Sequence, residues 1–434
     1  MTSRSAGAPG RRWFLGTLAR AAAGGALLGG GALAWPGTLE AFAREIRSGG
    51  GADDEDFWEV VRGGFLIPEG RIYLNNGTLG PQPRVVVDAV TEHTRRTAMT
   101  YPPGVEWEDL KGALGFLLDA EPAGFVLPRN TTEAMSFVAN GLELSPGDEV
   151  VTTDHEHIGG LCPWELVTAR RGATLRKAVL PVPAPSREAL LDAIWERVGE
   201  GTRVVSVSHV TFTNGTTLPV DRLARRCRDA GIVFVVDGAH PPGMLDFSVG
   251  AIGADFYASS PHKWLLAPQG SGLLHLAPRW RTELWPTLAS GGWDDTSLGA
   301  QRLNHMGTLD GSRLAGLLAA LGFMEALGME RVEARVRHLR RTLRGYLEEI
   351  PGLGIVTPRD EALASGMLSF RIEGLDSLAL QRHLAREADV RTRVISEYDF
   401  GWMRLSTHVY NLPPELERVA SLLLDAARHG VPTG

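Results

Sequence analysis

Between Thr131 and Ala258 the chain alternates helical stretches with short runs of β-forming residues, and this alternation constrains the fold more than any other feature. Helical patterns over Thr131–Leu142, Gly159–Arg171, Ser186–Val198 and Pro219–Ala230 interleave with strand-like runs at Glu149–Thr152, Leu175–Leu180, Val204–Val207, Ile232–Val236 and Asp255–Ala258. Strands separated by helices do not pair as hairpins, because each helix carries the chain back to the start of the next strand. The pattern predicts an α/β fold with a mainly parallel sheet and helices on both faces. In such sheets ligands bind beyond the carboxyl ends of the strands, so the residues just after each run are the place to look for chemistry.

Two of those positions hold complementary groups. The run Ile232–Val236 ends in Asp237-Gly238-Ala239-His240, and the run Asp255–Ala258 leads into Ser259-Ser260-Pro261-His262-Lys263-Trp264. A carboxylate and an amine, 26 residues apart, thus stand at the mouths of two neighbouring strands. Acids at strand ends are common, and a lysine in a turn is usually solvated. Pyridoxal phosphate enzymes, however, require this pair. Their lysine holds the aldehyde as a Schiff base, and their aspartate keeps the pyridine nitrogen protonated.

Two further motifs have both a plain and a functional reading. Arg129-Asn130-Thr131-Thr132-Glu133 precedes a helix and reads as a capping box, while hydroxyls and free N–H groups at a helix start also make a phosphate cradle. Glu156-His157-Ile158-Gly159-Gly160-Leu161-Cys162-Pro163-Trp164 follows a strand, and its histidine has the place to lie flat on a cofactor ring. With Asp154 and His155 beside it, the segment also admits surface exposure or a metal. Neighbours on an extended segment point to opposite sides, so a shared ion would use only part of that set.

The ordered set resembles the class V aminotransferase family of fold-type I pyridoxal phosphate enzymes. It comprises Tyr73-Leu74-Asn75-Asn76-Gly77, Asn130-Thr131-Thr132, Glu156-His157 with Pro163-Trp164, Asp237 to His240, Ser260 to Lys263, and Arg404 to Asn411. The resemblance runs from Ile72 to the C-terminus. It implies a large domain with a mainly parallel, seven-stranded type of sheet and a smaller α+β C-terminal domain. It implies Lys263 as the Schiff-base lysine and proton carrier, Asp237 at the pyridinium nitrogen, and His157 stacked on the ring. Thr132, Ser260 and His262 would hold the phosphate with Thr131 close by, and His240 would stand near the ring oxygen. Arg404 would grip the substrate carboxylate, with Asn75 also on the substrate side. Gly307-Thr308 resembles the segment that the family donates to a neighbouring subunit's phosphate, which implies a homodimer with shared sites.

Within the family, peripheral residues choose the reaction. Cysteine desulfurases carry a nucleophilic cysteine on a small-domain loop, and the corresponding Arg391–Tyr398 has none. Cys162, beside Pro163-Trp164, reads as packing. The segment His209 to Gly215, with Phe212, looks more like the isopenicillin N epimerase-like branch. Epimerisation of an amino acid or an amino-acid-bearing product is the first expectation, with Lys263 reaching both faces or a second acid that the sequence does not name. An exported transaminase or tailoring enzyme of a peptide or siderophore is the second, and a C–S lyase the third. A binding module without catalysis would be expected to lose Lys263, Asp237 or Arg404, and all are present. Arg391, Arg393 and Trp293 are further pocket candidates, each equally readable as structural.

The N-terminus is a different kind of segment. Arg11-Arg12-Trp13-Phe14-Leu15, a broken Ala/Gly/Leu stretch and Ala41-Phe42-Ala43 look like a twin-arginine export signal over residues 1–43. The expected divisions that follow are a linker and N-terminal segment at 44–70, a large cofactor-binding domain at 71–312 and a small domain at 313–434. Export implies the twin-arginine machinery as a partner and a periplasmic or extracytoplasmic location. The formal charge is −7, and removing the signal takes four arginines and one glutamate, leaving −10. With no basic stripe to offset that charge, nucleic acid is not an expected partner. Only Cys162 and Cys227 are present, so no disulfide framework holds the fold.

Overall fold

The computed structural model describes residues 42–43, 46, 49–100, 105 and 107–431. The expected export signal lies outside these residues apart from Phe42 and Ala43. Thirteen strands are formed among them. They are Ile72–Tyr73 (β1), Phe125–Val126 (β2), Glu149–Thr153 (β3), Thr174–Ala178 (β4), Thr202–Ser208 (β5), Val233–Asp237 (β6), Phe256–Ser259 (β7), Leu273–Leu276 (β8), Leu353–Ile355 (β9), Met367–Ile372 (β10), Val390–Arg391 (β11), Arg393–Ile395 (β12) and Trp402–Ser406 (β13).

The large sheet has seven strands in the order β2-β8-β7-β6-β5-β3-β4. β4, β3, β5, β6 and β7 are mutually parallel, and β8 runs antiparallel between β7 and β2. The central strands read as unbroken hydrophobic runs because both faces are covered, and Phe234, Val235 and Val236 are all buried. One face belongs to a core with Leu223, Val249 and Leu321, the other to a core with Val138, Trp164 and Leu284. Strand order reverses beside β3, since the chain passes to β4 on one side and then to β5 on the other. That is the switch point at which open α/β sheets bind ligands.

The C-terminal part builds a second sheet, β12-β13-β10-β9, wholly antiparallel. The Met329–Glu348 and Pro413–His429 helices pack on it, through Leu339, Leu343, Leu416 and Leu423 against Phe370 and Leu405. β1 pairs in parallel with β11, Ile72 opposite Val390, as a separate two-stranded sheet, and Asn75 then bridges to Ser406 of β13, so this segment touches the small sheet. From there it returns to the loop after β7. Gly80 N–H donates to the His262 carbonyl at 2.9 Å, and the Tyr410 hydroxyl donates to Asn76 Oδ1 at 3.1 Å.

Candidate active site

The carboxyl ends of β3, β5, β6 and β7 and the strand β13 meet around a cavity of about 280 Å³. It is lined by Thr131, Thr132, His157, Asp237, His240, Ser260, His262, Lys263 and Arg404, together with Thr78, Ser208, Phe212 and Arg393. Ten of the residues expected from the sequence, the pocket candidate Arg393 included, thus share one space. Register explains part of this, because Ser208 stands opposite Asp237, and Asp237 opposite Ala258, in adjacent parallel strands.

The end of the cavity expected to hold a phosphate is built on a helix start. Asn130 caps the Thr131–Gly141 helix by accepting from Glu133 N–H at 2.9 Å, and Glu133 reaches back to Arg129 N–H at 2.6 Å. The helix cap and the residues expected to cradle a phosphate are the same structure, with Glu133 reaching the residue before the N-cap. Ser260 Oγ accepts from Thr131 N–H at 3.0 Å and lies 2.7 Å from Thr131 Oγ1, joining the β7 loop to that helix. Gly159 makes room here, since a Cβ on it would lie 2.3 Å from Thr132 Oγ1.

The ring end is held from both sides. His157 is itself the N-cap of the Ile158–Arg171 helix, with Nδ1 accepting from Gly159 N–H at 3.0 Å. Its edge-on contact with Phe212, centroids 5.1 Å apart, fixes the ring further. Asp237 is buried, and Oδ1 accepts from Ala239 N–H at 2.9 Å. Helix approach leaves no space beside it, because a Cβ on Gly160 would sit 2.6 Å from Asp237 Oδ2. Burial raises the Asp237 carboxyl above the ordinary aspartate range, against the pull of Lys263.

Lys263 is lowered to about 8, chiefly by burial and then by Arg404, while Asp237 opposes the shift. A substantial neutral fraction of its amine is therefore present near neutrality, as a nucleophile and base requires. Burial and then the Lys263 charge lower His157 and His262 to about 4 and put His240 well below its usual value. All three imidazoles are neutral at pH 7. Arg404 is buried on β13, donating to the Phe212 carbonyl at 2.6 Å and to Thr78 Oγ1 at 3.2 Å.

These residues fit pyridoxal phosphate. His240 Nε2 and His262 Nδ1 are buried polar atoms with no hydrogen-bond partner in the protein, and Arg404 Nε is a third. Apolar packing would not leave such atoms uncovered. The site would offer a carboxylate to a ring nitrogen, an imidazole to a ring face, hydroxyls and a helix start to a phosphate, and an amine to an aldehyde.

Other expectations fall elsewhere. Asn75 does not line the cavity; it accepts from Thr78 Oγ1 at 2.8 Å and so meets Arg404 through that threonine. Thr308 is exposed and outside its own chain's cavity. Arg391 points away into an ion pair with Asp389 at 2.8 Å, and Trp293 stacks on Trp285 at the surface, so neither lines the pocket. Cys162, read as packing, is exposed, whereas Pro163 and Trp164 beside it are buried; the helix turns the sulfur outward. Cys227 is buried and both thiols are free.

Sequence reasoning missed Glu156 as more than a motif neighbour. It is buried, accepting from Thr153 Oγ1 at 2.6 Å and Ser208 Oγ at 2.5 Å. The four residues from Asp154 to His157 diverge. Asp154 accepts from Leu180 N–H, His155 meets Thr213 and stacks on Phe400, and His157 faces the cavity.

Residues 107–418 match the Aminotransferase class-V family. Isopenicillin N epimerase of Streptomyces clavuligerus is 33% identical to this chain, covering 84% of it and 97% of that protein. A probable cysteine desulfurase of Pyrococcus abyssi is 28% identical over 84% of this chain and 96% of its own. The apo structure of cysteine desulfurase from Thermococcus onnurineus NA1 superposes with a TM-score of 0.75 at 24% identity, over 85% of this chain and 98% of that one, a likeness of fold. With its residues 107–418 inside the family's bounds, this chain belongs to the class V aminotransferases and is a pyridoxal phosphate-dependent enzyme.

Proposed function

We propose that the enzyme epimerises the Cα centre of an amino acid or an amino-acid-bearing product. One observation carries the reading: Lys263, the one amine on the cavity lining, shares that cavity with Arg404, which can hold the carboxylate of the reacting carbon. Bound pyridoxal phosphate supplies the electron sink that acidifies the Cα–H bond. Arg404 would fix the carboxylate, His157 would cover one ring face, and Asp237 would keep the ring nitrogen protonated. Lys263 removes the proton and returns it. The only carboxyl on the lining, Asp237, is committed to the ring, which supports Lys263 as the carrier on both faces. The 33% identity to an isopenicillin N epimerase favours this branch, and the absence of cysteine from Arg391–Tyr398 speaks against persulfide chemistry.

The test is an absorbance spectrum of the purified chain followed by incubation with single L- and D-amino acids in deuterated water. A band near roughly 420 nm that Lys263→Ala abolishes establishes cofactor and lysine together. Deuterium incorporation at Cα with loss of optical activity establishes epimerisation. Release of a keto acid assigns transamination instead, and pyruvate from a β-substituted amino acid assigns elimination. Export and dimerisation are part of the same proposal, supported by Arg11-Arg12 with Ala41-Phe42-Ala43 and by the exposed Thr308. A mutated twin-arginine pair would hold the enzyme in the cytoplasm, and sedimentation would give twice the chain mass.

A further inference from the structure

Arg393 and Arg404 are direct cross-strand partners in the antiparallel pair β12–β13, so their side chains leave the sheet on the same face. Both line the cofactor cavity. Like charges placed opposite each other in a sheet repel, and Arg404 registers this: after burial, Arg393 is the next cause of its fall to about 9. One guanidinium suffices for the carboxylate at the reacting carbon. A second on the same wall has another task.

Glu397 occupies that second guanidinium in the protein alone. Arg393 donates to Glu397 Oε1 at 2.5 Å, while Glu397 Oε2 is buried without any hydrogen-bond partner. The carboxylate is thus half-satisfied, an arrangement that costs stability unless another state relieves it. Its segment is strained as well. Tyr398 and Asp399 are consecutive non-glycine residues in the left-handed region, at φ 58° and 59°. The Tyr398 hydroxyl ties the segment to the Glu156 carbonyl, 2.6 Å away, one residue before His157. A half-satisfied carboxylate on a strained turn is a stand-in that another anion can replace.

We propose that the substrate is an amino acid carrying a second anionic group, which takes the place of Glu397 on Arg393 while Arg404 holds the carboxylate at the reacting carbon. This rests on the assignment of Arg404 made above. Displacement frees the unpartnered Glu397 Oε2 to find a partner in solvent, and the cation it leaves is matched by the incoming anion. The distal group is a carboxylate or another planar oxyanion, the shape a guanidinium binds with two parallel N–H donors.

The experiment measures binding, without turnover, of glutarate and butyrate to the cofactor-loaded enzyme by titration calorimetry. Glutarate is expected to bind about 10-fold tighter than butyrate, the order that one charge-assisted contact gives. Arg393→Ala is expected to cost glutarate about 10-fold more than it costs butyrate, and Glu397→Gln to tighten glutarate severalfold by removing the competitor. Equal affinity for the two acids in the unmodified enzyme, no measurable glutarate binding at millimolar concentration, or equal losses in Arg393→Ala would overturn the proposal. Glu397→Gln keeps it open to refutation if Arg393→Ala does not fold, because unchanged or weakened glutarate binding in that variant also refutes it. Neither ligand has an amine, so the result is independent of the reaction at Cα. A failure of the epimerase reading would show in deuterium exchange and leave these affinities untouched.

Discussion

Trp264 donates its indole N–H to His240 Nδ1 at 3.0 Å, and this one contact decides which imidazole nitrogen carries the proton. An indole N–H can only donate, so Nδ1 must accept, and the neutral ring keeps its proton on Nε2. Nε2 is the buried, unpartnered atom on the cavity side. The site therefore offers a donor to a phenolate oxygen of the cofactor.

Trp264→Phe keeps an aromatic ring, though a smaller one, and releases Nδ1. Cofactor affinity is expected to fall about 5-fold, the worth of one neutral hydrogen bond. Titration of the apoenzyme with pyridoxal phosphate by fluorescence checks it. An unchanged affinity and an unchanged cofactor spectrum would show that the tautomer is not held by the indole.

Gly160→Ala tests the close approach of helix and acid. The added methyl would lie 2.6 Å from Asp237 Oδ2, so the carboxyl or the helix must shift. Affinity for pyridoxal phosphate is expected to drop at least about 10-fold, with the far-ultraviolet dichroism retained.

Glu156 gives a pH prediction. Burial, opposed by its bonds from Ser208 and Thr153, raises its pKa from 4.5 to about 7. The folded state then holds a proton that the unfolded chain has released between those two values. Stability consequently falls as pH climbs from 4.5 to about 7 and levels off above, a span worth about 3 kcal/mol at most. Glu156→Gln stays uncharged at every pH. The melting-temperature difference between it and the unmodified enzyme is expected to move in favour of the glutamine from pH 5 to pH 8. A difference that stays constant would place the Glu156 pKa outside this window.

Arg335 carries the largest single stability prediction. It is fully buried, bidentate on Glu55 at 2.6 and 2.8 Å, and donates to the Ala52 and Asn411 carbonyls. Arg335→Met retains much of the volume and strands these acceptors, for an expected loss of about 2–4 kcal/mol in urea unfolding.

What the sequence disclosed follows from how each signal arises. β6 is legible because a strand buried on both faces must be hydrophobic along its length, and the acid closing it then stands out. Asp237 and Lys263 were accordingly readable, and the ordered motifs brought in His157 and Arg404. Directions within polar loops were not readable. Nothing in Asp154-His155-Glu156-His157 tells which side chain turns inward, since each is set by a partner remote in sequence: Leu180, Thr213, Ser208 and the cavity itself. Arg391 and Arg393 looked equivalent because residues two apart on one strand share a face, but the run breaks at Thr392, leaving Arg391 on β11 beside β1 and Arg393 on β12. β13 is the neighbour of β12, and Arg393 is the one opposite Arg404.

The return of the chain from β1 to the lysine loop bears on how such enzymes can be recombined. Ile72 is in register with Val390, and eight residues later Gly80 is bonded to His262, next to Lys263. A graft that exchanged the C-terminal part for that of a relative would replace the partner of β1 and set the position of the Lys263 loop by a foreign strand. The two parts are therefore mechanically coupled, and a working chimera would have to carry residues 72–80 along with the C-terminal piece.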